Sequence, residues 1–215
     1  MSLDIVVVGC GGHGREVLSI VRAINAAARG GPVWRVRGFV DDRPSEVDLK
    51  RVQRLEVPYL GDSARLAEQP AGTYLALGIG DPTVRRAVDR QVAAYQLPAA
   101  VLVHPDATIG PDAVYGEGLI AFPGARITTN VTLGRHVHLN QNSALAHDCE
   151  VGDHVSINPL GAVSGECRLG DGVLIGAGAV VLQKLRIGTG ATVGAGACVV
   201  RDVPAGVVVK GVPAR

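Results

Sequence analysis

Polar side chains concentrate in one stretch of the sequence, residues 136–158, whereas the segments after it consist mostly of Gly, Ala and Val. Within this stretch His147 is followed directly by Asp148. Histidine exchanges protons near neutral pH because its unperturbed pKa is about 6.5. A neighbouring carboxylate can select one imidazole tautomer and stabilise the imidazolium ion. The stretch therefore predicts a site of proton transfer, of the kind that deprotonates an amine or a hydroxyl.

A second candidate site lies near the N-terminus, where residues 9–14 read GCGGHG and match the pattern GxGxxG. The loop follows an apolar strand-like run and precedes a helical pattern. Its backbone amides and the helix dipole could therefore hold a phosphate. As a fingerprint for NAD the motif is weak, because only one half-unit of about 100 residues surrounds it and no second half follows.

The elements that position this loop alternate between strand and helix. Strands are predicted over residues 4–8, 33–40 and 74–79. A helix is predicted over residues 14–29, where Val17, Ile20, Val21 and Ile24 share one side. The pair Asp81-Pro82 predicts the start of a further helix that ends near residue 95. The alternation of strand-like and helix-like segments indicates a small parallel sheet flanked by helices, in a first domain over residues 1–100.

From residue 103 onward, an aliphatic residue returns every six positions through residue 199, and only Tyr115 and Ala121 depart from aliphatic character. A small residue follows four positions later in most hexads, and Gly often comes directly after the aliphatic residue. A six-residue period fits short strands joined by tight corners around a prism. The aliphatic and small side chains are predicted to point inward, and Gly to permit unusual backbone angles or close approaches. This pattern defines a second domain over residues 101–215.

Composition excludes several classes of protein. The chain has 21 basic and 20 acidic residues, a net charge of +1, so a nucleic-acid partner is not expected. The four cysteines show no CxxC spacing, and no metal site is predicted. No run approaches the roughly 20 apolar residues of a membrane helix, and no signal peptide is recognisable. Free thiols in the cytoplasm are the expectation.

The sequence resembles the left-handed β-helix acyltransferases, and in particular the subgroup of sialic acid O-acetyltransferases and nucleotide-amino-sugar N-acetyltransferases that act on perosamine or bacillosamine precursors. The resemblance covers nearly the whole chain. It rests on five segments: VVVGCGGHGREV at 6–17, FVDD at 39–42, LGIGD at 77–81, LNQNSALAHD at 139–148 and GVPAR at 211–215. It implies a left-handed helix with three hexads per coil, a homotrimer, acetyl-CoA as co-substrate and a nucleotide-linked sugar bound by the N-terminal domain.

The resemblance also implies roles for individual residues. His147 corresponds to the proposed general base of the family, with Asp148 as its orienting carboxylate and Asn140 nearby. The residues implied to bind the nucleotide sugar are Gly11, Gly12, His13, Gly14, Asp41, Asp42, Gly80, Asp81 and His138. Those implied to bind acetyl-CoA are Ser156, Asn158, Gly176, Ala177, Gly194, Ala195 and Lys210. Many relatives have a second histidine where this chain has Ser156.

With three hexads per coil, residues eighteen apart should stack on adjacent coils, about 4.8 Å apart. This arithmetic predicts three polar columns, which are His136 over His154, His138 over Ser156, and Asn140 over Asn158. It also places Cys149 and Cys167 together inside the prism, where we interpret them as small core residues.

The sequence leaves several functions open. The leading hypothesis is N-acetylation of a nucleotide-linked amino sugar with acetyl-CoA, and the nearest alternative is O-acetylation of sialic acid or a related sugar. A non-catalytic scaffold or a carbonic-anhydrase-like metal enzyme is a second class, since such proteins also form β-helix trimers. A nucleotide-dependent reductase built on the glycine loop is a third.

Overall fold

The computed structural model describes residues 2–215. They form two compact units, one of residues 2–80 with 84–102 and one of residues 81–83 with 103–215. The first unit contains a parallel sheet and helices, and the second contains a parallel β-helix. The predicted fold class, a Rossmann-like α/β domain followed by a parallel β-helix, is confirmed.

The sheet of the first unit has four parallel strands in the order β3-β2-β1-β4. Its strands are β1 Leu3–Val8, β2 Trp34–Val40, β3 Tyr59–Gly61 and β4 Tyr74–Leu77, and its helices are α1 Gly12–Ala27, α2 Glu46–Gln53 and α3 Pro82–Val92. Short 3-10 helices cover Ser63–Glu68 and Ala93–Tyr95. Two elements were not predicted from the sequence. They are β3, which has only three residues, and α2, in which only Val52 is buried.

The boundaries of the predicted elements differ slightly from those observed. Helix α1 begins at Gly12, inside the glycine loop, and ends at Ala27 rather than at residue 29. Strand β4 ends at Leu77 rather than at residue 79. Helix α3 begins at Pro82, as the Asp-Pro pair predicts, and ends at Val92 because the chain tightens there into the second 3-10 helix.

The β-helix consists of eighteen two-residue strands on three faces. Face I contains β5 Leu102–Val103, β8 Ile120–Ala121, β11 His138–Leu139, β14 Ser156–Ile157, β17 Leu174–Ile175, β20 Thr192–Val193 and β22 Val208–Val209. Face II contains β6 Thr108–Ile109, β9 Arg126–Ile127, β12 Ala144–Leu145, β15 Ala162–Val163, β18 Val180–Val181 and β21 Cys198–Val199. Face III contains β7 Val114–Tyr115, β10 Thr132–Leu133, β13 Glu150–Val151, β16 Arg168–Leu169 and β19 Arg186–Ile187.

Strand register confirms the eighteen-residue coil. Leu139 pairs with Ile157, and Leu145 pairs with Val163. These aliphatic side chains are buried, as are the small residues Cys149 and Cys167 that share the interior. The prediction that the six-residue period points aliphatic and small residues inward is therefore confirmed.

The corners between faces need left-handed backbone. Three columns of corner residues have positive φ angles, including Asn130 (55°) and Asp148 (60°) at the corner between faces II and III. Asn and Asp tolerate this conformation better than most residues other than Gly. Close approach explains other glycines, because a Cβ atom on Gly134 would lie 2.7 Å from the backbone nitrogen of Asp153.

Candidate active site

The predicted proton-transfer pair lies at the corner between faces II and III. Nδ1 of His147 is 2.6 Å from Oδ2 of Asp148. About half of each side chain is exposed, 56% for His147 and 47% for Asp148. Because the carboxylate engages Nδ1, the opposite ring nitrogen Nε2 is left to accept a proton from a bound group. The pair is accessible to a ligand and has the geometry of an oriented base.

The second carboxylate oxygen of Asp148 is held by the adjacent coil. Nδ2 of Asn130 donates a hydrogen bond to Oδ1 of Asp148 over 3.2 Å. The pKa of the Asp148 carboxyl lies below its ordinary value, chiefly because of the hydrogen bond with His147 and next because of the one from Asn130. His147, Asp148 and Asn130 therefore form a connected group of three side chains.

Gly165 lies against the imidazole of His147, on the following coil. A Cβ atom at residue 165 would lie 2.5 Å from Cε1 and 2.6 Å from Nε2 of His147. Only glycine leaves room for the ring in this orientation. Sequence reasoning missed both Asn130 and Gly165, although the eighteen-residue rule finds them, since Asn130 precedes Asp148 by eighteen and Gly165 follows His147 by eighteen.

The residues implied to bind acetyl-CoA lie mostly along a different edge, the corner between faces I and II. Asn140, Asn158, Gly176 and Gly194 form one column of this edge, and successive backbone bonds run from each coil to the next. Nδ2 of Asn140 also approaches Oδ1 of Asn158 at 3.3 Å, which confirms that predicted column. Ala177 and Ala195 lie exposed beside the column, and Lys210 is exposed near its end.

Asn140 was expected near His147, and this expectation is wrong for a single chain. The side chain of Asn140 is buried and donates to the carbonyl oxygen of Ile157 over 3.1 Å. Strand β12, Ala144–Leu145 on face II, separates it from the corner of His147. Asn140 and His147 are seven residues apart in sequence, and this distance spans one whole face, so the two residues lie at different corners.

The column of His138 and Ser156 is confirmed by strand pairing, but neither side chain has exposed surface. Both side chains are buried in the single chain, so the expected roles of His138 in sugar binding and of Ser156 in cofactor binding stay predictions. The rings of His136 and His154 stack, as predicted, with centroids 5.4 Å apart. Within residues 2–215, no three His, Cys, Asp or Glu side chains are grouped so that they could hold a metal ion.

The glycine loop of the first unit is tightly built. A Cβ atom on Gly14 would lie 1.9 Å from the carbonyl oxygen of Gly9, so α1 packs directly on the loop. Gly11 and Gly12 by contrast face open space. Oδ2 of Asp41 accepts a hydrogen bond from the amide of Cys10 over 2.7 Å. Asp41 therefore holds the loop in place at the end of β2.

Asp42 and Gly80 are also held by neighbouring residues. Asp42 accepts hydrogen bonds from the amide of Ser63 (2.8 Å) and from Nε2 of Gln91 (2.8 Å). The carbonyl oxygen of Gly80 accepts a hydrogen bond from Arg85, whose side chain is fully buried. Asp81 groups with the second unit. No pattern in the sequence marked Arg85, because an arginine in a helical segment is ordinarily exposed.

His13 lies at the start of α1, beside Gly80. Burial, and to a lesser extent the positive charge of Arg85, lower the pKa of His13 to about 4. Glu16 lies 3.9 Å from Nδ1, but its half-exposed carboxylate attracts a proton less strongly than burial disfavours it. His13 is therefore neutral at pH 7.

Acidification is expected to destabilise the protein through His13. The pKa in the folded state is about 4 against 6.5 for the free side chain, so the unfolded chain binds the proton first and stability falls as pH drops through this window. At pH 5 this effect lowers the free energy of unfolding by on the order of 2 kcal/mol. Urea unfolding at both pH values should show that the free energy of unfolding falls less between pH 7 and pH 5 in His13→Gln than in the unmodified protein. Equal losses would contradict the prediction.

Short parallel strands wound on three faces are the architecture of hexapeptide-repeat proteins, and comparison with known families places this chain among the transferases of that architecture. Residues 4–92 match the PglD N-terminal domain, and residues 166–201 match the bacterial transferase hexapeptide family of six repeats. None of the helices within residues 2–215 combines the length and apolar character needed to cross a bilayer.

Three relatives narrow the class. The chain is 33% identical over 142 residues to the GDP-perosamine N-acetyltransferase of Escherichia coli O157:H7, a match that spans 66% of this chain and 61% of that protein. It is 32% identical to the acetyltransferase domain of PglB from Neisseria gonorrhoeae FA1090 in complex with acetyl coenzyme A, with a TM-score of 0.84 over 100% of this chain and 99% of the other. It is 30% identical to PerB from Caulobacter crescentus in complex with CoA and GDP-perosamine, with a TM-score of 0.85 over 100% and 99%.

The chain belongs to the hexapeptide-repeat N-acetyltransferases of the perosamine and bacillosamine type. The predicted family is confirmed by this likeness over the full chain.

Proposed function

We propose that this protein transfers the acetyl group of acetyl-CoA to the amino group of a nucleotide-linked amino sugar, with His147 as general base. The observation that supports this most directly is the exposed pair of His147 and Asp148, 2.6 Å apart, on the scaffold of this family. Family membership favours acetyl transfer over the scaffold, metal-enzyme and reductase hypotheses.

The reaction forms an amide bond and breaks a thioester bond. The sugar amine attacks the acetyl carbonyl carbon, and Nε2 of His147 takes the proton that the amine loses. Asp148 stabilises the imidazolium ion that results. The proton then passes to the sulfur of the departing CoA thiolate, so the base returns to its neutral form.

We propose that acetyl-CoA lies along face II. Both the corner of His147 and the edge of Asn158, Gly176 and Gly194 border this face. Its outward side chains in the middle and late coils are small or apolar: Ala144, Ala162, Val180 and Cys198. The exposed Ala177, Ala195 and Lys210 lie at its far edge, where small side chains permit close approach to backbone groups and Lys210 could meet a phosphate.

We further propose a homotrimer in which a second chain packs against face II and closes the groove. An exposed stripe of small apolar residues on a flat sheet supports a protein contact there. The four free thiols, Cys10, Cys149, Cys167 and Cys198, fit a reducing compartment, and a cytoplasmic location is part of the proposal.

The glycine loop is the proposed site for the nucleotide part of the sugar. Gly11 and Gly12 face open space at the start of α1, where amide groups and the helix dipole favour a phosphate. Gly14 holds the helix close to the loop, while Asp41, Asp42 and Gly80 are tied to neighbouring segments. In this proposal neutral His13 lies beside the ligand.

A thiol-release assay tests the proposed function. The purified protein is mixed with acetyl-CoA and a panel of acceptors that contains GDP-perosamine, other nucleotide-linked amino sugars, free amino sugars and sialic acid. We expect free CoA thiol only with amines linked to a nucleotide, and an acetamide in the product by mass spectrometry. Reaction with hydroxyl acceptors alone, or with no acceptor, would overturn the proposal.

Gly165→Ala should slow acetyl transfer by displacing the imidazole of His147. A methyl group at 2.5 Å from the ring forces His147 out of its orientation toward Asp148. We expect turnover to fall about tenfold or more, since small misplacements of a catalytic group are costly. The control is the same substitution in a His147→Ala background, where the additional loss should disappear. An equal loss in both backgrounds would show that residue 165 acts independently of the ring.

A further inference from the structure

Asn130 contacts the carboxylate of Asp148 from the coil below it. The two residues are eighteen apart, and both occupy left-handed corner positions between faces II and III. Nδ2 of Asn130 is 3.2 Å from Oδ1 of Asp148, while Nδ1 of His147 is 2.6 Å from Oδ2. Each carboxylate oxygen therefore has its own partner, and the two contacts together hold the plane of the carboxylate.

The orientation of the Asn130 amide follows from its neighbours. An ionised carboxylate only accepts hydrogen bonds, so the NH₂ group of Asn130 must face Asp148. Oδ1 of Asn130 then points to the hydroxyl oxygen of Thr129 at 3.2 Å, and this hydroxyl also lies 3.0 Å from the carbonyl oxygen of Pro111. A chain of polar contacts thus runs from Thr129 through Asn130 and Asp148 to His147.

We propose that Asn130 is a positioning residue for acetyl transfer, which holds Asp148 so that Asp148 in turn orients His147. This inference rests on the proposed function. Asp148 is half exposed at a corner, and a single contact with His147 would leave its carboxylate free to rotate. The hydrogen bond from Asn130 removes that freedom, and the imidazole is kept in one direction by a carboxylate that is itself fixed.

The residue type at position 130 meets two requirements at once. The backbone φ of 55° favours Asn, Asp or Gly. Of these three only Asn provides a hydrogen-bond donor, because Gly has no side chain and Asp would place a second negative charge against Asp148. Gly and Asp are therefore the two replacements that keep the corner and change only the contact.

The chain offers a control for the backbone effect in Gln96. This residue is also exposed and has a left-handed φ of 53°, but it belongs to the first unit, directly after the second 3-10 helix. Gln96→Gly relieves left-handed backbone in the same way as Asn130→Gly and changes none of the proposed catalytic or binding residues. A difference between the two variants therefore reports the contact with Asp148.

The experiment has two readouts. Steady-state kinetics with acetyl-CoA and a nucleotide-linked amino sugar should show kcat lowered about 3–30-fold in Asn130→Gly, with both KM values unchanged, as expected for loss of one hydrogen bond to a charged group. Carbon-13 NMR of the protein without substrates should show the pKa of Asp148 raised in Asn130→Gly and raised further in Asn130→Asp. Gln96→Gly should match the unmodified protein in both measurements.

Three results would overturn the proposal. They are a normal kcat in Asn130→Gly, an unchanged titration of Asp148, or an equal loss of kcat in Gln96→Gly. Absence of acetyl transfer by the unmodified protein would instead overturn the proposed function, and the role of Asn130 with it. The two failures are distinguishable because the titration is recorded without substrates.

Discussion

His147→Ala is expected to lower the turnover of acetyl transfer about 10²–10⁴-fold, the usual range for loss of a general base. The affinity for CoA should persist, because the proposed CoA edge of Asn158, Gly176 and Gly194 lies at another corner. The folded structure should persist as well, since the side chain of His147 is 56% exposed and fills no part of the core. Kinetics and CoA titration of the purified variant measure both effects.

The pH dependence of this variant carries further information. A sugar amine becomes partly neutral near pH 8 and then needs less help from a base. The ratio of rates between the unmodified protein and His147→Ala should therefore shrink as pH rises. His104→Ala is the matched control, because His104 belongs to the β-helix unit and accepts a hydrogen bond from the amide of Asp106 outside the proposed site. Near-normal turnover of His147→Ala across the pH range would count against His147 as the base.

Gly14→Ala should destabilise the N-terminal unit by about 3 kcal/mol or more, at or above the usual cost of overpacking. The added Cβ atom would lie 1.9 Å from the carbonyl oxygen of Gly9, and a backbone atom in a tight loop cannot move aside cheaply. The displaced helix would also change the amides at Gly11 and Gly12, so binding of a nucleotide-linked sugar should weaken. Urea unfolding followed by circular dichroism gives the stability.

Gly12→Ala is the control for this effect on stability. Its nearest neighbour would be a flexible Arg15 side-chain nitrogen at 3.9 Å, so the methyl group meets no obstacle. Alanine in a helix is favoured over glycine by up to about 1 kcal/mol, and the variant should be as stable as the unmodified protein or slightly more so. Equal destabilisation by both substitutions would show that the contact between Gly14 and Gly9 is not the cause.

The glycine loop illustrates how far a motif alone leads. Its spacing indicated a strand, a turn and a helix, and these elements are present as β1, the loop and α1. The separate roles of its glycines became visible only in three dimensions. There is no room for a Cβ atom at Gly14, whereas there is room for one at Gly11. The buried Arg85, which binds the carbonyl oxygens of Ile79 and Gly80, had no signature at all, because a side chain's burial depends on what packs over it.

The sequence by itself determined the β-helix and the coil on which each residue lies. Aliphatic residues at every sixth position predict one shared interior. Together with the three hexads per coil that the family resemblance implies, this period sets the register that stacks His136 on His154 and Asn140 on Asn158. No tertiary information is needed for such columns, since they follow from counting along a regular coil.

Only the tertiary structure decided which polar residues a ligand can reach. It buried His138 and Ser156, separated Asn140 from His147 by a full face, and brought Asn130 and Gly165 to the exposed pair. The physical reason is that the period specifies the level and face of each residue, whereas exposure and hydrogen bonding depend on the direction of each side chain and on the atoms around it.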